Sequence, residues 1–246
     1  MILSHGDDLR TTVHVAEYPT EDFELRVVTL PTAMTLLEWC NWEGFDEALV
    51  GGFYIRQPQV RTDPLLSGMP LGELRASGLE SESVPFDAPW DERRACVHTN
   101  GDGVTIAPRD QLPKEPGGDL LQAGPMLVTD GRLADQDREG FSAGSGQFDS
   151  DITEGRHPRA ALGIKDGTLL AVVTDGRTDD EAGLTLDELA AHMIDLGATS
   201  ALNLDGGGSA SMIRDGRLVN VPREGDGTEI PGGRPVSTAL VFASRR

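Results

Sequence analysis

The sequence predicts an α+β fold, a single domain with a mixed, largely antiparallel sheet system and a few packed helices. Asp-Gly pairs recur between short apolar runs, in MLVTDGRLA, GIKDGTLL and SMIRDGRLV, and this pattern is typical of tight antiparallel hairpins. Amphipathic helical spacing is clearest in one segment, GLTLDELAAHMIDLGA. Because hairpin signals outnumber helical ones, an antiparallel or mixed sheet is favoured over a doubly wound parallel sheet. The whole chain, residues 1–246, is predicted to form this one domain.

The first part of the chain, residues 1–119, is predicted to contribute strands to that domain. FELRVVTL has strand character, and AMTLLEWCNW after it is predicted to form a short helix that Thr32 caps and Gly44 ends. FDEALVGGFY then returns to strand character and ends in the pair Gly51-Gly52. RACVHTNGDGVTIAP is predicted to be a further hairpin around NGDG.

The rest of the chain has one well-marked helix and one long polar segment. The helix is predicted over residues 186–196, because Thr185 and Glu188 match a capping box and Gly197 follows the last apolar positions. It leads into ATSALNLD, which is apolar enough for a central strand. The segment REGFSAGSGQFDSDITEGRHP is polar and rich in glycine. Its residues 141–157 are predicted to form a mobile loop that borders a binding pocket, since long loops in compact domains are usually functional or disordered.

Composition argues against several classes of partner. The chain has 21 basic and 41 acidic residues and a formal net charge of −20, and such a surface repels nucleic acid and anionic membranes. It has no apolar stretch long enough to span a bilayer, and its N-terminal residues lack the pattern of a secretory signal. The expectation is a cytoplasmic protein with no nucleic-acid and no membrane partner. Its two cysteines are expected to be reduced thiols.

The segment ALNLDGGGSASM has three consecutive glycines directly after a predicted buried strand. An ordered glycine costs about 0.5–1 kcal/mol more than alanine in conformational entropy, so three together indicate a sharp turn, the close approach of a ligand, or both. The backbone N–H groups of Gly206, Gly207 and Gly208, with Ser209, can form an anion-binding nest. The segment is not a P-loop, because no lysine follows the glycines and a strand comes next. A wide turn between two strands is the alternative.

Candidate phosphate-binding and acid–base residues lie near the ends of two other predicted strands. Arg159 precedes a strand in HPRAALG, and Asp175 and Arg177 end one in AVVTDGR. Arginine can hold a phosphate by two hydrogen bonds, and a carboxylate beside it can act as acid or base. The alternative for Asp175 and Arg177 is an ordinary hairpin turn, like the other two Asp-Gly-Arg segments. His157, close to Arg159, is either a proton donor at the phosphate or a solvated loop residue.

Several of these motifs occur together in one protein family. QAGPMLVTDG, HPRAALGI, LLAVVTDGR, GLTLDELAAHMIDLGA and NLDGGGSASM resemble the phosphodiester glycosidase domain family, whose bacterial members are often labelled exopolysaccharide biosynthesis proteins. The resemblance is best over residues 120–242 and extends more weakly to GGFY and to the final GGRPVSTALVF. Val50, Ala160 and Ala210 depart from the family, which commonly has Asn before the earlier glycine pair, HPRTA and GGGSST.

The resemblance implies hydrolysis at the anomeric carbon of a sugar attached through phosphate to a second group, which releases the sugar and a phosphate monoester. Asp205 and Asp175 are the candidate carboxylates acting at the sugar. Residues 206–209 are assigned to the phosphate, with Arg159 as its charge partner and Arg177 as a further binding residue. The expected partner is a small-molecule sugar phosphodiester or a glycan end.

Two further features complete the implied site. Asn203 precedes Asp205 by two positions on the predicted strand, so it is expected to bond a sugar hydroxyl or to orient Asp205. The resemblance also brings Gly51 and Gly52 to the site. No cofactor is implied. Two alternatives stay open. One is a metal-dependent phosphodiesterase in which Asp175, Asp205 and Asn203 hold a divalent cation through oxygen ligands. The other is a non-catalytic module that binds sugar phosphates or nucleotide sugars.

Overall fold

The structure of the protein, a computed structural model, describes residues 1–4, 10–31, 34–56, 66–101, 103–134 and 155–245. Within these ranges the chain forms three sheets, and every pairing between neighbouring strands of a sheet is antiparallel. The predicted α+β fold with a largely antiparallel sheet system is confirmed. Thr32 and most of the segment predicted to be a mobile pocket loop lie outside the described residues.

The bounds of the regular elements in the described ranges are as follows. The strands are β1 (Ile2–Ser4), β2 (Arg10–Pro19), β3 (Phe23–Thr29), β4 (Ala48–Val50), β5 (Leu74–Ala76), β6 (Leu79–Glu80), β7 (Ala95–Thr99), β8 (Val104–Pro108), β9 (Asp119–Gln122), β10 (Met126–Thr129), β11 (Arg132–Leu133), β12 (Ala160–Lys165), β13 (Thr168–Thr174), β14 (Ser200–Asn203), β15 (Met212–Arg214), β16 (Arg217–Leu218) and β17 (Thr238–Ser244). The α-helices are α1 (Leu36–Glu43), α2 (Trp90–Arg93) and α3 (Leu186–Asp195), and 3₁₀ turns lie at Arg109–Gln111 and Gly207–Ser209.

Strands from both ends of the chain share the same sheets. The largest sheet has seven strands in the order β1-β2-β13-β12-β14-β10-β11, with β14 in its interior as predicted for ATSALNLD. A second sheet has the order β16-β15-β4-β17-β3, and a third has the order β6-β5-β9-β7-β8. The predicted hairpin in RACVHTNGDGVTIAP is the pair β7–β8. No helix among the described residues is long and apolar enough to cross a membrane.

Strand β13 shows how the seven-stranded sheet is buried on both faces. Successive side chains of a strand point to opposite faces, so Leu169, Ala171 and Val173 pack into the main core, while Leu170 and Val172 pack into a second cluster with α3. Full burial of a large aliphatic side chain contributes about 1.5–3 kcal/mol. The apolar run of β13 therefore makes this strand a well-packed support for the residues that follow it.

The Asp-Gly pairs between apolar runs form the predicted hairpin turns. Both residues of each pair have positive φ, at Asp130 (51°) and Gly131 (70°), Asp166 (42°) and Gly167 (74°), and Asp215 (50°) and Gly216 (69°). A type I′ turn requires positive φ at both central positions, which Asp and Gly tolerate best. These turns join β10 to β11, β12 to β13 and β15 to β16.

Helices α1 and α3 both begin at capping boxes. In α3 the Thr185 hydroxyl accepts a hydrogen bond from the Glu188 N–H, and the Glu188 carboxylate accepts one from the Thr185 N–H, as predicted. In α1 the same pair of bonds joins Thr35 and Glu38, so the prediction that Thr32 caps this helix is wrong. The reciprocal bond needs Glu or Gln three positions after the cap, and only Thr35 has one.

Residues 204–211 carry the chain from β14 in the seven-stranded sheet to β15 in the second sheet. The 3₁₀ turn Gly207–Ser209 lies in this crossing. Strand β4 pairs with both β15 and β17, and the Asp205 N–H donates to the Gly51 carbonyl, just beyond β4, at 3.0 Å. The glycine segment therefore lies where the two sheets meet, beside the earlier glycine pair.

Candidate active site

Two of the glycines after the buried strand lie directly against guanidinium groups. A Cβ atom on Gly207 would lie 2.7 Å from Arg177 Nη2, and one on Gly208 would lie 2.5 Å from Arg234 Nη2. Gly207 also has a φ of +60°, which disfavours residues with side chains. Glycine is therefore required at both positions, because any side chain would displace an arginine from the turn.

The N–H groups of the turn mostly have acceptors within the protein. The Gly206 N–H donates to Asp205 Oδ1 at 2.9 Å, the Gly207 N–H to the Pro158 carbonyl at 2.8 Å, and the Ser209 N–H to the Gly206 carbonyl at 3.1 Å. These three groups are thus engaged in holding the turn. Most N–H groups of the predicted anion-binding nest therefore already bond to acceptors within the protein. The positive groups that line the turn are guanidinium groups.

The Asp205 carboxyl group is buried at the start of the turn, with the residue 5% exposed. Burial raises its pKa to about 6, because the charged form loses its hydration. A hydrogen bond from the Ser209 hydroxyl, the positive charge of Arg234 and the Gly206 N–H act in the opposite direction. This carboxyl group therefore changes protonation state in the range in which acid–base catalysts work.

Tyr54 and Arg56 approach the same carboxyl group from the segment after β4. Burial and the negative charge of Asp205 raise the pKa of Tyr54, while the Ser209 hydroxyl and the charges of Arg234 and Arg56 oppose the rise. A phenol, a hydroxyl, a carboxyl group and two guanidinium groups are thus brought together from three separate parts of the chain.

Two buried polar atoms beside the turn have no hydrogen-bond partner within the described ranges, Arg234 Nε and Ser211 Oγ. The Arg234 side chain is 13% exposed, and its Nη2 pairs with the Glu224 carboxylate. The other carboxylate oxygen of Glu224 lies 3.5 Å from Arg56 Nη2. A buried donor without an acceptor costs about 1–3 kcal/mol. The unsatisfied N–H of Arg234 therefore marks a place where a bound anion would be stabilised.

Gly51 and Gly52 fit closely against Thr238 of β17. A Cβ atom on Gly51 would lie 2.5 Å from Thr238 Oγ1, and the Gly52 N–H donates to that same oxygen at 2.9 Å. The carbonyl of Gly51 accepts the Asp205 N–H. The glycine pair thus lies beside the turn, as the resemblance implied, and it contacts Asp205 through its backbone.

The Asp-Gly-Arg segment at residues 175–177 is not a hairpin turn, so that alternative is excluded. Asp175 is 7% exposed. Its Oδ2 lies 3.0 Å from His14 Nε2, and its Oδ1 accepts the Val221 N–H at 2.7 Å. Both carboxylate oxygens are therefore bonded within the protein. Arg177, two residues later, is the side chain of this segment that reaches the glycine turn.

Arg159 is fully buried, and its guanidinium group donates to backbone carbonyls nearby. Its Nε donates to the Leu184 carbonyl at 2.9 Å and its Nη2 to the Gly155 carbonyl at 3.1 Å. The backbone N–H of Arg159 donates to the Thr174 hydroxyl at 2.9 Å. The half-buried His157 pairs with Leu184 through its backbone. The guanidinium group that the sequence assigned to a phosphate therefore holds the segment before β12 in place.

Asn203 ends β14 and is 1% exposed. Its Nδ2 donates to the Leu204 carbonyl at 2.8 Å, and its Oδ1 has no partner among the residues that the structure describes. A role in bonding sugar or orienting Asp205 stays a prediction. In the described part of the chain, no group of three or more His, Cys, Asp or Glu side chains is arranged to hold a metal ion.

Sequence reasoning missed several side chains near the turn or bonded to Asp175, namely Tyr54, Arg56, Glu224, Arg234 and His14. A signal existed for three of them. Tyr54 and Arg56 follow the earlier glycine pair in GGFYIR, and Arg234 follows another pair in GGRP. Paired glycines indicate a backbone that another group approaches closely. The side chains soon after them, Arg234 one residue later and Tyr54 and Arg56 two and four residues later, are therefore candidates for the same site. Glu224 and His14 have no comparable signal.

The family pattern described as phosphodiester glycosidase matches residues 44–243. The chain belongs to this family. The matched range includes the earlier glycine pair, the glycine turn and every arginine placed around it, whereas His14, the partner of Asp175, lies before it.

Sequence relatives match parts of the chain. An uncharacterized SPbeta prophage-derived protein of Bacillus subtilis is 36% identical over 66 residues, which cover 26% of this chain and 10% of that protein. The human and bovine N-acetylglucosamine-1-phosphodiester alpha-N-acetylglucosaminidases are 27% identical over 106 residues, which cover 43% of this chain and 20% and 19% of the relatives. The matched segments thus span between 10% and 20% of the length of these relatives.

Solved structures are similar to this chain over most of its length. The catalytic domain of the zebrafish N-acetylglucosamine-1-phosphodiester alpha-N-acetylglucosaminidase, auto-inhibited by its pro-peptide, has a TM-score of 0.67 at 19% identity, covering 98% of this chain and 86% of that one. A hypothetical protein from Synechocystis has a TM-score of 0.65 at 17% identity, covering 100% of this chain and 61% of that one. At these identities the likeness shows the fold.

Proposed function

We propose that the protein hydrolyses the glycosidic bond of a sugar 1-phosphodiester and releases the sugar and a phosphate monoester. Membership of the phosphodiester glycosidase family supports this class of reaction. The observation that carries the proposal is the position of buried Asp205 beside a glycine turn lined by Arg177 and Arg234. The reaction needs a carboxyl group at the sugar and a firm hold on the phosphate, and this turn offers both.

Arg177 and Arg234 are the proposed phosphate-binding residues, in place of Arg159. They lie against the backbone of the turn, whereas the Arg159 guanidinium donates to backbone carbonyls. A guanidinium group presents paired N–H donors that match two phosphate oxygens. In a chain of net charge −20, a local group of positive charges is also what draws an anionic substrate to the site.

Asp205 is the proposed catalytic carboxyl group. The leaving group is a phosphate monoester, already a stable anion, so little proton donation is needed. The larger demands are stabilisation of an oxocarbenium-like transition state and activation of the attacking water. Above its pKa of about 6 the carboxyl group is ionised and can meet either demand. Water adds to the anomeric carbon and gives a proton to the ionised Asp205 carboxylate. The bond from that carbon to the phosphate oxygen breaks in the same step, and its electron pair leaves on the phosphate.

The position of bond cleavage tests the proposal most directly. A panel of sugar 1-phosphodiesters would be hydrolysed in ¹⁸O-labelled water, and both products would be weighed by mass spectrometry. Glycosidic cleavage places the label in the sugar. Label in the phosphate instead would mean attack at phosphorus, which overturns the proposal in favour of a phosphodiesterase.

Asp205→Asn tests the catalytic assignment. Asparagine keeps the size and hydrogen-bonding reach of aspartate but can neither take up a proton nor carry negative charge, so we expect kcat to fall by about a hundredfold or more. In the unaltered protein, kcat/KM should rise as the pH increases through about 6. Asp130→Asn, in an exposed hairpin turn, is the matched control and should keep full activity. Near-normal turnover by Asp205→Asn would refute the assignment.

The same variant should be at least as stable as the unaltered protein at pH 8. The pKa of Asp205 is higher in the folded state than its ordinary value of 3.8, so the folded state binds the proton more tightly. The free energy of unfolding therefore falls as the pH rises from 3.8 to about 6. A rise of the pKa over this range corresponds to a loss of about 3 kcal/mol in the free energy of unfolding. Urea unfolding of the variant at pH 8 should show a gain approaching that size, and a large loss would contradict it.

A further inference from the structure

Glu224 lies among the arginines that the proposed function assigns to the phosphate. Its two carboxylate oxygens pair with Arg234 Nη2 and, at 3.5 Å, with Arg56 Nη2. The side chains of Glu224 and Arg56 are each 39% exposed, so this carboxylate borders solvent at the edge of the cluster. A carboxylate beside a phosphate site needs an explanation, because it repels the anionic substrate and shares its donors.

A short hairpin holds Glu224 in this position. The Glu224 N–H donates to the Thr228 carbonyl at 2.8 Å. On the other side, Arg177 Nη1 donates to the Arg223 carbonyl at 2.8 Å, so one of the proposed phosphate-binding arginines also anchors the hairpin. The negative charge is thus built into the site by the fold.

Glu224 pairs with Arg56 and Arg234, so it lowers the positive charge that these two guanidinium groups present to a bound anion. A phosphodiester carries a single negative charge, and a phosphate monoester carries about two at neutral pH. The carboxylate of Glu224 therefore repels the monoester more strongly than the diester.

We propose that Glu224 tunes the site to a singly charged phosphodiester and against the doubly charged phosphate monoester that the reaction releases. This inference rests on the proposed function. Repulsion between Glu224 and a bound phosphate is proportional to the charge of the phosphate, so its free-energy cost is twice as large for the dianion. Binding constants depend exponentially on free energy. If removal of the Glu224 charge raises the affinity for a diester by a given factor, it should therefore raise the affinity for a monoester by the square of that factor.

Glu224→Gln removes the charge and keeps an amide oxygen that can accept from Arg234. The probes are dimethyl phosphate, a monoanion, and methyl phosphate, a dianion at pH 8, each titrated into the full chain by calorimetry. We expect dimethyl phosphate to bind about threefold more tightly and methyl phosphate about tenfold more tightly than to the unaltered protein. The control is Glu229→Gln, which removes a charge of the same hairpin that pairs with Arg223 at 2.7 Å, and it should leave both affinities unchanged.

The inference is overturned if Glu224→Gln increases the affinity for dimethyl phosphate and for methyl phosphate by the same factor. Weaker binding of both probes overturns it as well, since that is the result expected if Glu224 only holds the hairpin. Failure of both probes to bind either chain also overturns it. Hydrolysis of sugar phosphodiesters by the unaltered protein reports separately on the proposed function. If the protein hydrolyses sugar phosphodiesters but Glu224→Gln changes both affinities equally, only the role of Glu224 is rejected. If the two affinities change unequally but no hydrolysis occurs, the proposed function is rejected and the preference for a singly charged anion stands.

Discussion

The tripeptide Asp-Gly-Arg occurs at residues 130–132, 175–177 and 215–217, and it forms two different structures. The copies at 130–132 and 215–217 are hairpin turns with exposed Asp and Arg side chains. The copy at 175–177 buries its Asp and places its Arg against Gly207. Identical local sequence thus forms a solvated turn twice and part of the candidate site once.

The position of the preceding strand in its sheet accounts for this difference. A type I′ turn returns the chain along the strand that it has just left, which requires an open edge beside that strand. β10 and β15 have such an edge, which β11 and β16 occupy. β13 already pairs with β2 on one side and with β12 on the other. The chain after β13 therefore has to leave the sheet.

Replacement of the arginine in each of the three Asp-Gly-Arg segments should give the largest difference in activity. Arg177→Ala removes a proposed phosphate-binding group, and we expect kcat/KM for a sugar phosphodiester to fall by about a hundredfold, close to 3 kcal/mol. Most of the loss should appear in KM, since phosphate is bound in both the ground and transition states. Arg132→Ala and Arg217→Ala are the matched controls and should keep full activity. If kcat/KM fell equally in all three variants, the proposed difference between Arg177 and the two turn arginines would be wrong. Thermal unfolding would show whether Arg177→Ala remains folded.

The second-largest effect is expected on stability, where Asp175 and Asp130 should differ. Asp175→Asn weakens the contacts with His14 and with the Val221 N–H, so we expect the free energy of unfolding to fall by about 1–2 kcal/mol. Asp130→Asn should change it by less than about 0.5 kcal/mol, because Asn is equally suited to a type I′ turn. Urea unfolding of both variants measures the difference, and equal losses would contradict a supporting role for Asp175.

The smallest effect is expected at a glycine of an exposed turn. Gly131 has a φ of +70° and open space where a Cβ would lie, so only backbone strain opposes a side chain. Gly131→Ala should lower the free energy of unfolding by about 1 kcal/mol and leave activity unchanged. Gly131→Asn should recover part of that loss, since Asn tolerates the left-handed conformation. If Asn is no better than Ala, strain is not the cause.

Signals that act within a few residues predicted much of the fold. The Asp-Gly hairpins and the capping box of α3 depend on neighbours in the chain, and both are confirmed. The error at Thr32 was local too, because the reciprocal bond belongs to the threonine that has Glu38 three positions later. The glycine segment after Asp205 was recognised because glycines are costly unless the backbone is closely approached.

The sequence by itself thus determined the family, the hairpins and helix starts, and the segment around which the candidate site forms. Only the tertiary structure decided which arginines reach that segment. Arg159 precedes β12 and Arg177 follows β13 in the same sheet, yet one guanidinium group bonds to backbone carbonyls and the other lies against Gly207. Arg234 comes from the chain before β17, in the second sheet. The end of a long side chain is placed by the packing of sheets against each other, and no local pattern in the chain encodes that packing.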